Sequence, residues 1–395
     1  MRVPACLLAC LLLAAALCAS FSLSGQAEQQ SSGPAAWLVT YGPGQEMWER
    51  FGHNAIWVRD EARGLDRIYS YGYFDMTRPG FAWDFARGIM IYEGNAADPG
   101  RELAWYRGRD RSVRLQRLDL DGDRFNSLAA MLEQSLEPDQ RQYQYDYYFD
   151  NCSTRLRDFI DRVTDGALSE ATETTSTAQN FRDHTHRLTQ QRFWLHTGMM
   201  MGLGPAVDKE NSAWEEMFLP EALAREVGAL ETDRGALVAE DFYWHESETF
   251  DPPPAPSHRW LTYSGLGVAT MALILLPAWR FRRPWAARSG LALYALASGA
   301  AGSVLLFLWL ATSHEAAWAN AFLLLLNPLW WLLLVPLSAR VTQALVGVLG
   351  ALMAAGAIIL AWPESYQFRP APLLWLVPAG LAALACALAA VSPRR

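Results

Sequence analysis

Five apolar stretches, at 261–279, 289–311, 321–338, 341–362 and 371–391, follow the proline-rich run 251–256 and dominate what the chain can fold into. At 1.5 Å of rise per residue, each is about long enough to cross the ~30 Å hydrocarbon core of a bilayer. Residues 260–395 are therefore expected to form an all-α bundle of five transmembrane helices. No Asp, Glu, Lys or Arg falls well inside a stretch, which argues against a proton or ion path. Asn327-Pro328 in the third stretch and Gly347 with Gly350 in the fourth suit a broken helix or a close-packing face, features common to bundles of any function.

Charge divides the chain in the same place. From Arg259 onward there are nine Arg and no Lys against Glu315 and Glu364, whereas the remainder carries 24 basic and 39 acidic residues. Arginines gather at 280, 282, 283 and 288, at 340, and at 394 and 395, while the loops at 314–320 and 363–370 hold only Arg369. Positively charged loops stay in the cytoplasm, so the chain before Trp260 is expected outside. The N-terminus agrees: Arg2, the apolar run 3–21 and the small residues of Gly25-Gln26-Ala27 read as a secretory signal over 1–27. The exported domain then spans 28–250, with a linker at 251–259. Its acidic balance argues against nucleic acid as a partner, and the bilayer is the partner the bundle requires.

Within the exported domain, alternating and β-branched runs predict strands at 37–41, 55–58, 67–71, 89–92 and 112–118. Short helical turns are expected at 45–51 and 81–87. After Leu118 the period changes: Asp121 or Asp123 caps a helix with Phe125, Leu128, Leu132 and Leu136 on one face, and a second helix carries Leu156, Phe159, Ile160 and Val163. Strands followed by helices make the class α+β.

Cysteine usage singles out one position. Cys6, Cys10 and Cys18 belong to the signal and Cys386 to the last apolar stretch, leaving Cys152 as the lone exported thiol. It follows Asp150-Asn151, either of which can cap a helix, so Cys152 falls in the first turn. Free amides and the helix dipole there favour a thiolate. The same amides could hold the oxyanion of a tetrahedral intermediate. A thiol nucleophile needs an imidazole partner, and His53, His184, His186, His196, His245, His258 and His314 are the candidates. His184 and His186 with Asp183 raise a metal site, but a spacing of two on a helix turns the rings to different sides. No metal and no cofactor are expected.

Four segments carry a resemblance: Tyr41-Gly42-Pro43-Gly44-Gln45-Glu46-Met47-Trp48-Glu49-Arg50-Phe51-Gly52-His53-Asn54, Tyr69-Ser70-Tyr71-Gly72-Tyr73-Phe74-Asp75, Phe85-Ala86-Arg87-Gly88 and Tyr145-Asp146-Tyr147-Tyr148-Phe149-Asp150-Asn151-Cys152-Ser153-Thr154-Arg155. They resemble the Lnb N-terminal periplasmic domain family, and Glu215-Glu216-Met217-Phe218-Leu219-Pro220 is similar to its distal part. That family in turn resembles the permuted papain-like thiol hydrolases of the NlpC/P60 and lecithin:retinol acyltransferase group, in which a histidine on a strand precedes a cysteine opening a helix.

The resemblance implies a permuted papain-like (NlpC/P60-like) fold, with Cys152 as nucleophile and His53 as base. Asp75, Tyr71 and Asn54 are candidates, in that order, for orienting the ring. Asn151, Ser153 and Asn54 would support the site or its oxyanion. Tyr41, Trp48, Tyr71 and Tyr148 are candidates for a substrate groove, although aromatic residues here also suit a core. The implied protein is a multi-pass one of the bacterial inner membrane with its N-terminal domain in the periplasm. It would act as a cysteine hydrolase or acyltransferase on an amide, ester or thioester of a lipid-linked or peptidoglycan-related substrate. The alternative is a non-catalytic binding or assembly module anchored by the bundle.

Overall fold

The computed structural model describes residues 33–249, 252–281 and 284–391. The expected signal, with Cys6, Cys10 and Cys18, and the arginines at 282, 283, 394 and 395 lie outside the described residues.

Seven strands form an antiparallel sheet: β1 (Ala35–Tyr41), β2 (His53–Asp60), β3 (Leu65–Tyr73), β4 (Ile91–Ala97), β5 (Val113–Leu118), β6 (Gln142–Gln144) and β7 (Val238–His245). Their order is β7-β5-β1-β2-β3-β4-β6. Successive side chains point to opposite faces, and here both faces are covered. Leu38, Ile56, Val58, Tyr69 and Tyr71 enter one core, and Val39, Tyr41, Ala55, Ile68 and Val113 the other. Between β3 and β4 runs α1 (Phe81–Ala86), and α2 (Pro99–Gly108) presses Leu103 and Tyr106 onto the second face. The first face receives α3 (Gly122–Gln134), capped by Asp121, and α4 (Cys152–Val163), capped by Asn151, through Phe125, Leu128, Leu132, Leu156 and Ile160.

A helical lobe follows, with α5 (Phe181–Thr189), α6 (Phe193–Gly202) and α7 (Pro220–Ala229). Its own core gathers Phe181, Leu188, Met200 and Phe218 around Tyr148. The mixed sheet-and-helix region expected from the sequence is thus present, followed by a helical region.

Among the described residues, four apolar helices are long enough to span a membrane: α8 (Trp260–Phe281), α9 (Pro284–Leu310), α10 (Ala339–Ala361) and α11 (Pro370–Val391). The expected third helix is a correction. Residues 321–338 break into 3-10 turns at Ala321–Leu324 and Pro328–Leu334. Pro328 lacks an amide hydrogen and its ring excludes a continuing α-helix. Asn320 and Asn327 reinforce the break, each accepting the amide of the residue two positions on, Phe322 at 2.9 Å and Leu329 at 3.2 Å. Trp330 anchors the broken segment by donating its indole N–H to the Leu325 carbonyl and packing edge-on against Tyr294.

The exported domain sits directly on the membrane helices. Ser313 N donates to the Arg87 carbonyl at 2.8 Å, His314 Nε2 lies 2.8 Å from the Phe85 carbonyl, and Gly204 N donates to Ala316 at 2.7 Å. Asn320 Nδ2 reaches the carbonyls of Met201, Gly202 and Leu203, and Gln367 Nε2 that of Leu203. Fully buried Arg182 pairs with Asp208 at 2.8 Å, and Asp208 also accepts from Arg369 at 2.5 Å. The proline-rich linker is likewise engaged, since Gln190 Nε2 donates to Ala255 and Gln190 Oε1 accepts from Ser257 N.

These contacts orient the sheet. The β2–β3 turn (Glu61–Arg63) marks one end, and the start of β2 lies roughly 26 Å from it along the strand. The start of β2 and the finish of β3 share the end from which the chain leads into α1 and onto the 311–320 loop.

Candidate functional site

Cys152 occupies the first position of α4. Asn151 adopts extended backbone as the cap, and its Oδ1 accepts the amides of Ser153 at 2.8 Å and Thr154 at 3.0 Å. Its Nδ2 is also committed, donating to the carbonyls of Tyr147 and Phe218. Asn151 therefore fixes the helix start and consumes two of the amides that an oxyanion would need. The Cys152 amide is the remaining first-turn donor beside the sulfur.

The sulfur itself meets β2. The Asn54 amide lies close enough to the thiol to favour its ionised form, and Ser153 Oγ lies 3.9 Å from Sγ. Ser153 Oγ donates to Asn54 Oδ1 at 2.8 Å, and Asn54 Nδ2 donates to Thr40 Oγ1 at 2.8 Å. Asn54, Ser153 and Cys152 are thus brought together, with Asn151 one residue away.

His53 is adjacent in sequence but not hydrogen-bonded to the thiol. By strand alternation it belongs with Ala55 on the α2 face, while Asn54 faces α4 with Ile56 and Val58. Its ring stacks on Tyr41 with centroids 5.9 Å apart. By this alternation the imidazole and the sulfur belong to opposite faces of the sheet at the start of β2, just after Gly52, whose φ is +83°.

Electrostatics correct the expectation of a ready thiolate. Burial, with Cys152 only 9% exposed, pushes its pKa up, and the Asn54, Ser153 and Cys152 amides offset this only in part. Burial also pushes His53 down to about 3, helped by the Arg111 guanidinium. Desolvation outweighs the helix dipole, and the resting pair is neutral thiol and neutral imidazole. Tyr106, Tyr143 and Tyr145 stand near enough to the sulfur to feel its charge. Beside them Asp150 pairs with Arg155 at 2.7 Å, and the Arg155 guanidinium lies 3.5 Å over the Tyr143 ring.

The other expected residues scatter. Asp75 is in an exposed turn, its Oδ1 accepting the Thr77 amide and hydroxyl, which hold its carboxyl below the ordinary value. Those bonds point it to its own turn rather than to His53. Tyr71 is buried and bonds Ser135, Tyr148 is buried and bonds Thr185, and buried Tyr41 donates to Glu102 at 2.6 Å. These three belong to cores rather than to a groove. Only Trp48, 52% exposed beside the 3-10 turn Met47–Glu49, stays open among the four. Two shallow clefts of about 420 and 430 Å³ include Leu168 and Leu230 in one and Asn211 and Trp214 in the other, and neither is lined by Cys152 or His53. His184 contacts Glu216 at 2.8 Å whereas His186 reaches the Ser257 carbonyl at 2.9 Å, so the two rings serve different neighbours.

Sequence reasoning missed Glu102, which joins the Tyr41–His53 stack through the Tyr41 hydroxyl, and the Arg182–Asp208–Arg369 group. The first left no signal beyond a helical carboxylate. The second left a hint, since Arg369 is the one basic residue in its loop.

Fold and position define a membrane protein whose mixed α/β N-terminal domain rests on its own transmembrane helices. Residues 26–190 match the Lnb N-terminal periplasmic domain, and residues 263–384 match the Lnb transmembrane domain. The N-terminal region thus matches the Lnb N-terminal periplasmic domain family and the C-terminal region the Lnb transmembrane domain, which makes this a membrane protein with its N-terminal domain in the periplasm. No curated protein and no solved structure matches it.

Proposed function

We propose that this protein is a multi-pass inner-membrane cysteine acyltransferase or hydrolase with a permuted papain-like domain, acting on an acyl bond presented at the membrane surface. The observation that carries the reading is the placement of the Cys152 sulfur. It opens α4, lies near the Asn54 amide next to His53, and sits at the end of the sheet that leads onto the membrane loops. Substrate entry separates the tyrosines around the sulfur. Sγ then bonds to the acyl carbon while the imidazole takes the thiol proton and passes it to the departing nitrogen, oxygen or sulfur. Water or a second nucleophile cleaves the thioester, and the proton balance closes through the same ring. The Cys152 amide is the natural oxyanion donor. The broken segment 321–338 completes a fifth crossing, because its start is tied to Gln367 on the domain side and its end leads into Ser338, which caps the far end of α10.

The test is chemical. The full chain in native membranes should carry a hydroxylamine-labile acyl group on Cys152, absent in Cys152→Ala and greatly reduced in His53→Ala. Failure to find such an adduct, together with normal function of Cys152→Ala in cells, would reject the enzyme. The buried thiol and the amides occupied by Asn151 favour the second reading, an anchored binding or assembly module, which predicts that outcome.

A further inference from the structure

The exported domain carries two large indoles that point away from it at the level of the membrane helices. Trp83 on α1 is 60% exposed and its ring lies 6.1 Å from Phe307. Trp194, the second residue of α6, is 67% exposed and lies 6.3 Å from Trp375. Phe307 is three residues before the end of α9 and Trp375 five residues after the start of α11. The two contacts thus fall about 4.5 and about 7.5 Å inside the helix ends. That depth is where indoles settle between headgroups and acyl chains. Trp260, Trp309 and Trp362, exposed at the ends of the membrane helices, occupy the same belt.

The rest of the docking holds both indoles there. One residue beyond α1, Arg87 accepts from Ser313, and Phe85 within α1 contacts His314. At the other indole, Phe193 packs on Tyr263 of α8, and the end of α6 is bonded by Asn320. Neither indole can lift without breaking polar contacts.

We propose that the extramembrane domain is itself seated in the bilayer, with Trp83 and Trp194 embedded in the headgroup–acyl boundary of the leaflet it faces. The occupant of this surface is lipid, because each indole continues a face already formed by transmembrane helices. The proposal is independent of any role for Cys152.

The full chain, with Cys6→Ala, Cys10→Ala, Cys18→Ala, Cys152→Ser and Cys386→Ala removing competing thiols, is reconstituted in phosphatidylcholine–phosphatidylglycerol nanodiscs. An environment-sensitive fluorophore is attached at Trp83→Cys or Trp194→Cys, and at Ala62→Cys in the far β2–β3 turn. Phosphatidylcholine spin-labelled near the headgroup should remove most of the fluorescence at positions 83 and 194 and leave position 62 bright. A deep spin label should quench less. Since removal of either indole could disturb docking, the unsubstituted chain is also treated with a diazirine phospholipid, and adducts should map to the peptides holding Trp83 and Trp194. Dye and peptides open to aqueous iodide but untouched by lipid reagents would overturn the proposal. Protection from both reagents would overturn it too, and point to a protein partner instead.

Discussion

Ser153 Oγ donates a hydrogen bond to Asn54 Oδ1 at 2.8 Å, joining residues 99 apart in sequence, and both side chains are buried. Through this bond the first turn of α4 is fixed against the first turn of chain in β2, so the thiol and the residue after His53 keep one spacing. Removing either partner leaves the other buried and unsatisfied, at a cost of about 1–3 kcal/mol. Ser153→Ala and Asn54→Ala should each lower stability by that amount in denaturant titration. The double variant should lose less than the two together, and strictly additive losses would separate the two side chains energetically.

Gly52 turns the chain into His53 with φ of +83°, and a Cβ there would stand 2.8 Å from the Tyr41 carbonyl oxygen. Gly52→Ala combines left-handed strain with a backbone clash, and should cost about 1–3 kcal/mol. Thermal unfolding checks it, and an unchanged midpoint would mean that the loop yields without strain.

Glu102 gives the exported domain an acid-stabilised element. Burial raises its pKa from 4.5 to about 7, partly opposed by the hydroxyl of Tyr41. Between those values the folded protein binds more protons than the unfolded chain, so this group makes stability fall as pH rises from about 4.5 to 7. In Glu102→Gln that part of the pH dependence should vanish. Melting curves at a series of pH values would show it, and a slope identical to the parent would assign the effect elsewhere.

The resting thiol should be sluggish. With its pKa raised by burial, Cys152 should alkylate with an apparent midpoint above the free-cysteine value of ~8.5. Because His53 is neutral in this range, His53→Ala should leave that midpoint in place while abolishing acyl transfer. Iodoacetamide kinetics against pH measure both. A midpoint below neutrality in the parent would reveal a standing thiolate–imidazolium pair.

Asp208 neutralises Arg182, which is fully buried, and Arg369 from the membrane loop. Asp208→Ala leaves a buried guanidinium without its carboxylate and should cost about 3–5 kcal/mol. Limited proteolysis should then open the 203–208 region. Arg369→Ala, which leaves the inner pair whole, should open it much less.

Local chemistry made much of this architecture readable in advance. Alternation marked β1, β2, β3 and β5, and the side-chain caps Asp121 and Asn151 start α3 and α4 as expected. The chain also gave notice of the 3-10 turn Met47–Glu49 and of α1. What escaped was set by long-range pairing. β7 joins β5 across more than a hundred residues. The register of β2 put Asn54, and not His53, on the face of Cys152. Asn327-Pro328 was visible, yet whether a proline kinks or ends a helix depends on its neighbours. Here Trp330 and the two asparagines decide. The thiol's electrostatics were misjudged because a helix start can be recognised from sequence and its desolvation cannot.

The bonds from Ser313, His314, Asn320, Gln367 and Arg369 hold the periplasmic body at one altitude. Whatever it meets must arrive at that height by lateral diffusion, a two-dimensional search rather than a volumetric one. Bilayer thickness thereby becomes a control parameter: a membrane a few ångströms too thick or too thin would shift every encounter out of reach while leaving the polypeptide itself intact.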